Sequence, residues 1–545
     1  MDITKIKPKK KRFNTAGNCY PHIHYMMDSS AKIEKAMELI DYGDYFTINR
    51  PRQYGKTTLL FSIEQALKNS EAYLPILLTF ENIDKDLNVT EADLAKSFII
   101  KFTFDLLKIY PHLQEKLEQI SNQTNSMFEL SYSITKIINL IDKKVILLID
   151  EVDASSNYKP FLTFLAILRA KYLNRFSSND YTFHSVILAG VHDVKSLKYK
   201  IKDSHNVQYN SPWNIAVNFI EPMEFNPKEI APMLVEYNEA ENIGMNEKEI
   251  NEIAEKLYYY TSGYPFLVSR LCQIMANDIL PKKTVQNQDK ESNNNKKWNV
   301  EDVEQAVILI QKEVNTNFES LIKNLQNNPD LYTLVFDMLL NGKTMTYNPH
   351  NSVIEKGTIY GVFKQNGKVK IHNRIYEQII YNYLVSNVEN EIMQPYLTEH
   401  KFVLPNKELN FELILERFQV YIRESFGKRE VSFLENQWRL IFLAFLRPII
   451  NGNGYEFKEV QISDERRIDV VITYYSHKYI IELKIWRGDS YHERGILQLY
   501  DYLEKQNKDI GYLVIFDDRK TNIDANEYKS EWIEIENKRI FAVWV

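Results

Sequence analysis

The sequence predicts a multidomain α/β protein: a parallel α/β/α sheet carrying a phosphate-binding loop, a helical lid, a winged-helix-like module and a second α/β/α domain toward the C-terminal end. Three observations predict it. Apolar runs of strand length (YFTIN, LPILLTF, KVILLID and SVILAG) alternate with helical patterns between Met1 and Glu221. Near-continuous apolar strands separated by helices indicate a parallel sheet covered on both faces. A polar run, PKKTVQNQDKESNNNKKW from Pro281 to Trp298, then splits the chain, and strands and helices alternate again after Leu404. At 545 residues the chain exceeds what one core fills, and roughly three or four domains are expected.

Hydrophobic residues make up 44% and charged residues 26%, the composition of a soluble globular protein. The segment MDITKIKPKKKRF is charged and has no apolar centre of the kind a signal peptide needs. No run approaches the ~18 apolar residues of a membrane span. The two cysteines, Cys19 and Cys272, exclude a disulfide framework or a cysteine-rich zinc site. A cytoplasmic protein without membrane partners is expected. With a net charge of −6, any contact with nucleic acid must be made through a local basic surface.

In order, residues 1–225 are expected to form the sheet domain with the phosphate loop. Residues 226–299 form a helical lid, from PKEIAPMLVEYNEAENI, NEKEINEIAEKLYYY and YPFLVSRLCQIMANDIL, with a flexible insertion at 281–298. Residues 300–400 form the winged-helix-like module, because helices there precede GVFKQNGKVKIH, a hairpin turning at Asn366-Gly367. Residues 401–545 form the last domain: a helix in SFLENQWRLIFLAFLRPIING, strands RRIDVVITYY and KYIIELKIW, a helix HERGILQLYDYLEKQN and a strand GYLVIFD.

The stretch RPRQYGKTT lies between the strand YFTIN and the helix TLLFSIEQAL. A phosphate-binding loop wraps phosphates in backbone N–H groups and a lysine, and a Ser/Thr hydroxyl holds Mg²⁺. Gly55, Lys56 and Thr57 supply its second half, and Arg52, Gln53, Tyr54 and Thr58 complete the candidate nucleotide contacts. Arg50 stands where the first glycine belongs, so the turn must be made by other means, with Pro51 as a candidate. KKVILLIDEVD ends a buried strand in Asp150, a carboxylate for Mg²⁺, and Glu151, placed to orient or deprotonate water. Either signal alone has a bland reading, a chance helix start or a strand capped by acids; together, in this order, they indicate a nucleotide site. His192 and Asp193 end a further strand, for γ-phosphate sensing or for loop capping. Arg270 is read as a surface salt bridge before a phosphate contact.

The segments FNTAGNCYPHIHYMMD, RPRQYGKTTLL, LLIDEVD, ILAGVHDV and TSGYPFLVSRLC together resemble the AAA-like ATP-binding proteins of bacteria. The resemblance covers about the first half of the chain. It implies ATP as the nucleotide and places GNCYPHIHY near the base.

In the last domain Glu482 and Lys484 are two apart and point to one face of a strand. An antiparallel partner can bring Asp469 beside them. Two acidic groups suit Mg²⁺ or Mn²⁺, and a neighbouring lysine can activate water or stabilise phosphorane-like charge. A cross-strand salt bridge on a solvated face is the alternative, against which the apolar flanks of both acids weigh. Gln498 and Tyr502, four apart, share a helix face. The pattern Asp…Glu-x-Lys…Gln-x-x-x-Tyr resembles the PD-(D/E)XK nuclease superfamily, a restriction-endonuclease-like fold. That resemblance covers about Phe411–Val545 and implies metal at Asp469 and Glu482, Lys484 near the scissile phosphate, and Gln498 and Tyr502 positioning substrate. Glu435 fits the acid expected on the preceding helix; Ile468 stands where the family has proline.

KPKKKR, Lys7 to Arg12, reads as a disordered basic tail near phosphate before a nuclear localisation signal. Taken together, the expectation is an ATPase controlling a metal-dependent nuclease, with nucleic acid, DNA before RNA, as partner, and a homo-oligomer left open. The rival expectation is an ATP-dependent switch whose last domain grips nucleic acid without cutting it.

Overall fold

The computed structural model describes residues 10–79, 90–152, 159–176, 180–191, 213–286, 297–340, 343–392, 402–426, 435–450, 454–458, 461–463, 466–467, 470–474, 477–486, 488–516 and 529–545. Two compact units divide the chain: Met1–Leu321 with Asn348–Asn366 and Lys370–Ile375, and Ile322–Tyr347 with Gly367–Val369 and Tyr376–Val545.

The first unit is built on five strands, β1 (Phe46–Asn49), β2 (Tyr73–Thr79), β3 (Lys144–Asp150), β4 (Ser185–Gly190) and β5 (Val217–Asn218). They are all parallel, in the order β2-β3-β4-β1-β5. Every residue of β4 is buried, and in β3 only Lys144 is exposed. Such strands have no solvent face, so helices must cover both sides. One covering layer is visible in the core: Leu147, Ile149 and Leu188 of the sheet pack with Phe98, Phe102, Ile134 and Phe164.

The helices Pro227–Glu241 and Glu247–Thr261 begin at Asn226 and Asn246, each closing a capping box with Glu229 and Glu249. Between the second of these and the helix Pro265–Ile274 the chain turns through Ser262 (φ +48°) and Gly263 (φ +74°). A Cβ on Gly263 would stand 2.1 Å from the Phe225 carbonyl oxygen. Within Pro281–Trp298 a helix, Leu280–Gln286, takes in the first residues, and Trp298 is buried, stacked on Tyr237 at 4.5 Å. Residues 287–296 lie outside the described residues.

Helices follow at Thr316–Gln326, Pro329–Leu340, Ser352–Ile359 and Arg374–Ile392, with β6 (Phe363–Asn366) and β7 (Lys368–Ile371) as the expected hairpin around Gly367, φ +67°.

In the second unit the helices Phe411–Phe426 and Glu435–Ile450 precede β8 (Gly454–Lys458), β9 (Gln461–Ser463), β10 (Arg466–Arg467), β11 (Val470–Tyr474) and β12 (His477–Ile485). The helix Asp489–Lys505 then leads to β13 (Ile510–Phe516), β14 (Ser530–Ile535) and β15 (Lys538–Trp544). Six strands form one mixed sheet, β14-β15-β13-β12-β11-β8. Strand β11 is antiparallel to both its neighbours, β8 and β12, whereas β13 lies parallel to β12, as a helical crossover demands. In the stretch RRIDVVITYY, expected as one strand, the charged start, β10, pairs with β9 and the apolar part, β11, pairs in the large sheet, while residues 468–469 lie outside the described residues. Among the described residues no helix is long and apolar enough to cross a membrane.

Candidate nucleotide-binding site and C-terminal acidic site

Parallel strands send all their C-terminal ends to one sheet edge, where ligands collect. There β1 releases the loop Arg50–Gly55, and the helix Lys56–Lys68 begins with Gly55 as its N-cap, φ +77°. Unpaired amides and the helix dipole at such a start attract phosphate. The Lys56 ammonium spans the loop, donating to the carbonyls of Arg50 (2.9 Å) and Pro51 (2.8 Å).

Arg50, in the position of the missing glycine, makes no turn. Its backbone N–H continues the sheet to Gly190 (3.1 Å), and its guanidinium donates to the carbonyl of Glu221 at 3.0 Å. The bend falls instead on Gln53, φ +56°, and on Gly55. Side chains from distant segments hold the loop: the Tyr264 hydroxyl donates to the Arg52 carbonyl (2.5 Å), and the Gln53 amide to Thr316 (3.3 Å). Pro51 lies against Gly361, where a Cβ would stand 2.9 Å from the proline Cγ.

Thr57 is partly exposed on the first turn of the loop helix, and the Thr58 hydroxyl accepts from the Cys19 N–H (3.2 Å). The N-terminal segment therefore lies along this helix. A cavity of about 160 Å³ beside the loop is walled by Ala16, Met27, Gly55, Thr58, Leu59 and Phe266. Its apolar walls suit a flat base.

Asp150 is buried at the end of β3. The registers place it about level with the end of β1, since Asn49 pairs with Gly190 and Ile149 with Leu188. With β4 between them, the two strand ends are about 10 Å apart, a span that phosphates and an ion can bridge. Glu151, exposed, holds φ +54° and donates its N–H to the Asp150 carboxylate (2.9 Å). A non-glycine residue held in that region stores strain of the sort found at functional sites. His192 and Asp193 lie outside the described residues.

Arg270 pairs with Glu313 (2.6 Å) and also reaches Gln273, the salt bridge expected of it. Residues 7–9 of the basic segment lie outside the described residues. Its described part departs from the expected phosphate tail: Lys10 and Lys11 pair with Glu241 and Glu236. Acidic side chains on the helix Pro227–Glu241 attract them there.

A cluster the sequence does not disclose lies behind the loop. Tyr54 is 2% exposed, edge-on to Tyr264 (4.5 Å) and to His372 (5.6 Å). Its hydroxyl donates to Glu224 (3.0 Å) and meets His372 Nε2. Burial pushes the Glu224 carboxyl up, but the His372 ring 3.6 Å away, its own backbone N–H and the Tyr54 hydroxyl outweigh that and hold it at about 2. Burial pushes the His372 imidazole down, with Glu224 opposing.

In the second unit, Glu482 is fully buried on β12, and Lys484, on the same strand face, reaches it at 2.7 Å. Gly495 of the helix Asp489–Lys505 lets the backbone approach this lysine: a Cβ there would stand 3.3 Å from Lys484 Cγ. Gln498 is half-buried on the same helix, and Tyr502 is wholly buried in the core with Leu499, Leu503 and Leu513. The structure thus brings Glu482 and Lys484 together. Asp469 lies outside the described residues, as does the side chain of Glu435, whose backbone begins a helix. No group of three or more His, Cys, Asp or Glu able to hold a metal occurs among the described residues.

A five-stranded parallel sheet with a lysine-bearing loop after one strand and an acid ending another defines a P-loop nucleotide-binding protein. The chain belongs to the AAA-like domain family, whose model matches residues 22–382. No curated protein matches it. Among solved structures, it is similar to the Walker-type ATPase PABY2304 of Pyrococcus abyssi at 13% identity, covering 69% of this chain and 99% of that one, with a TM-score of 0.40. It is also similar to the Aeropyrum pernix ORC1 protein, solved in complex with DNA, at 12% identity over 67% and 94% of the two chains, with a TM-score of 0.29. A Thermotoga maritima RuvB variant follows at 13% identity, 66% and 95% coverage, and a TM-score of 0.33.

Proposed function

We propose that this chain binds and hydrolyses ATP and couples that cycle to a metal-dependent nuclease that cuts phosphodiester bonds, in DNA before RNA. The ATP half rests on family membership and on the loop itself. Lys56 is held across the loop by two of its carbonyls, so a phosphate entering there can take over the ammonium without moving the helix. Gly55 and the first helical amides face the same place. Thr57 and Asp150 fit Mg²⁺, being a hydroxyl on the first helical turn and a buried carboxylate at the shared sheet edge. When bound, Mg²⁺ neutralises phosphate charge. Glu151, exposed and held beyond Asp150, orients the attacking water and takes its proton.

The single observation that carries the nuclease half is Glu482: a carboxylate with no exposure, in a central strand, with a lysine 2.7 Å away on the same face. Enclosing an ion pair costs solvation that the pair itself repays poorly, so a working site is a better account of it than stability. Support for Asp469 as its partner is the antiparallel register of β11 with β12, described up to Val470 opposite Ile481. In this reading Glu482 and Asp469 hold the ion, Lys484 stabilises charge at the cut phosphate, Gln498 faces substrate, and Tyr502 props the helix from the core. Glu435 is kept as a candidate further acid.

The test is incubation with single- and double-stranded DNA and RNA, with Mg²⁺ or Mn²⁺, with and without ATP. Cleavage that needs the metal and disappears in Lys484→Ala and Asp469→Ala supports the proposal. Binding without cleavage by the wild type favours the switch that grips nucleic acid.

A further inference from the structure

We propose that His372 is a positioning residue for nucleotide binding: with Glu224 it holds Tyr54, and through Tyr54 the phosphate-binding loop, so that the loop is set by a side chain 318 positions downstream. The proposal rests on the reading of this loop as the nucleotide site.

The geometry forms a relay. The Asn373 amide lies 3.3 Å from His372 Nδ1. With Nδ1 accepting from it, the ring proton sits on Nε2, which donates to the Tyr54 oxygen; the Tyr54 hydroxyl in turn donates to Glu224 at 3.0 Å. Every member is thus committed, and the imidazole is neutral. His372 itself is anchored by its backbone N–H on the Val362 carbonyl (2.8 Å), in the segment whose Gly361 abuts Pro51. Two loop residues, Pro51 and Tyr54, are therefore seated against one downstream segment.

Tyr54 directly precedes the Gly55 cap and lies two residues before Lys56, so a shift of its ring moves the groups that meet phosphate. The charged and titratable groups facing His372 are Glu224, Tyr54, Tyr264 and Lys364. A cavity of about 570 Å³ adjoins the cluster, lined by Tyr54, Glu224 and His372 and by Lys32, Arg50 and Lys364, which gives protons a path. Protonating Nδ1 would turn it from acceptor to donor and set it against the Asn373 amide, breaking the relay at its far end. Burial lowers the His372 pKa, so the break falls below the ordinary histidine range.

The experiment is ADP binding by calorimetry to the full chain, between pH 7.5 and 5.5, for wild type, His372→Ala, His372→Gln and Lys56→Ala, with thermal unfolding as a parallel readout. At pH 7.5 His372→Ala is expected to weaken ADP about tenfold, the loss of one strong positioning hydrogen bond. His372→Gln, neutral and still a donor, is expected to recover most of that loss and to show a flatter pH profile than wild type. Wild-type affinity in His372→Ala, or a His372→Gln profile that parallels wild type, would overturn the proposal. Should His372→Ala fail to fold, the wild-type and His372→Gln profiles decide alone. Absence of ADP binding by wild type and Lys56→Ala alike would instead overturn the site reading beneath it.

Discussion

Gln53 shows how a single residue can replace a missing glycine. Its φ of +56° and that of Gly55, +77°, bend the loop, while Arg50 spends its donors on the sheet edge and the Glu221 carbonyl. Lys56 is the residue on which phosphate contact turns. Lys56→Ala is expected to weaken ATP at least about tenfold, a charge-assisted hydrogen bond being worth that much or more; calorimetry at fixed salt checks it. Two groups behind the loop, buried His372 and half-buried Glu224, fix a pH dependence of stability. Glu224 titrates lower when folded, about 2 against an ordinary 4.5, so its contribution is present above 4.5 and lost as pH falls from there toward 2. His372 also titrates lower when folded, so its contribution is present above its ordinary 6.5 and begins to be lost below it. Both signs agree: chemical denaturation should give falling stability from about pH 6.5 downward, and Glu224→Gln should flatten the lower part of that fall.

At the scale of elements, the turn Ser262-Gly263 and the helix caps make unequal demands. Gly263→Ala would drive a Cβ to 2.1 Å from the Phe225 oxygen at a positive φ, and a cost of about 3 kcal/mol or more is expected. Asn246→Ala removes only one capping hydrogen bond, to the Glu249 N–H, at about 1 kcal/mol. Thermal unfolding of the two variants should rank them in that order. The elements themselves were largely legible. Strands KVILLID and SVILAG are almost continuously apolar because they are buried on both faces, and Asn366-Gly367 marks its own hairpin. Local motifs likewise singled out Lys56 and Asp150, which lie at one sheet edge, and Glu482 and Lys484, which lie 2.7 Å apart. What the sequence concealed is non-local. Tyr54 and His372 carry no pattern between them, Lys10 and Lys11 find Glu241 and Glu236 only once the lid helix is folded, and the charged start of RRIDVVITYY leaves the large sheet for β9.

In the whole molecule the first unit carries the nucleotide site and the second the acid–lysine pair. Each can be silenced separately, since Lys56 belongs to the first unit and Glu482 to the second. Chemistry in the second unit should then survive, with altered dependence on ATP, when Lys56 is lost. The most direct measurement is nucleic-acid cleavage by the full chain with Mg²⁺ and ATP, run in parallel for wild type, Lys56→Ala and Glu482→Gln, with folding monitored for each. Metal-dependent strand scission by wild type, abolished in Glu482→Gln and no longer responsive to ATP in Lys56→Ala, is the predicted result. Intact DNA and RNA under every condition, from a wild-type chain that still binds ATP, would contradict it.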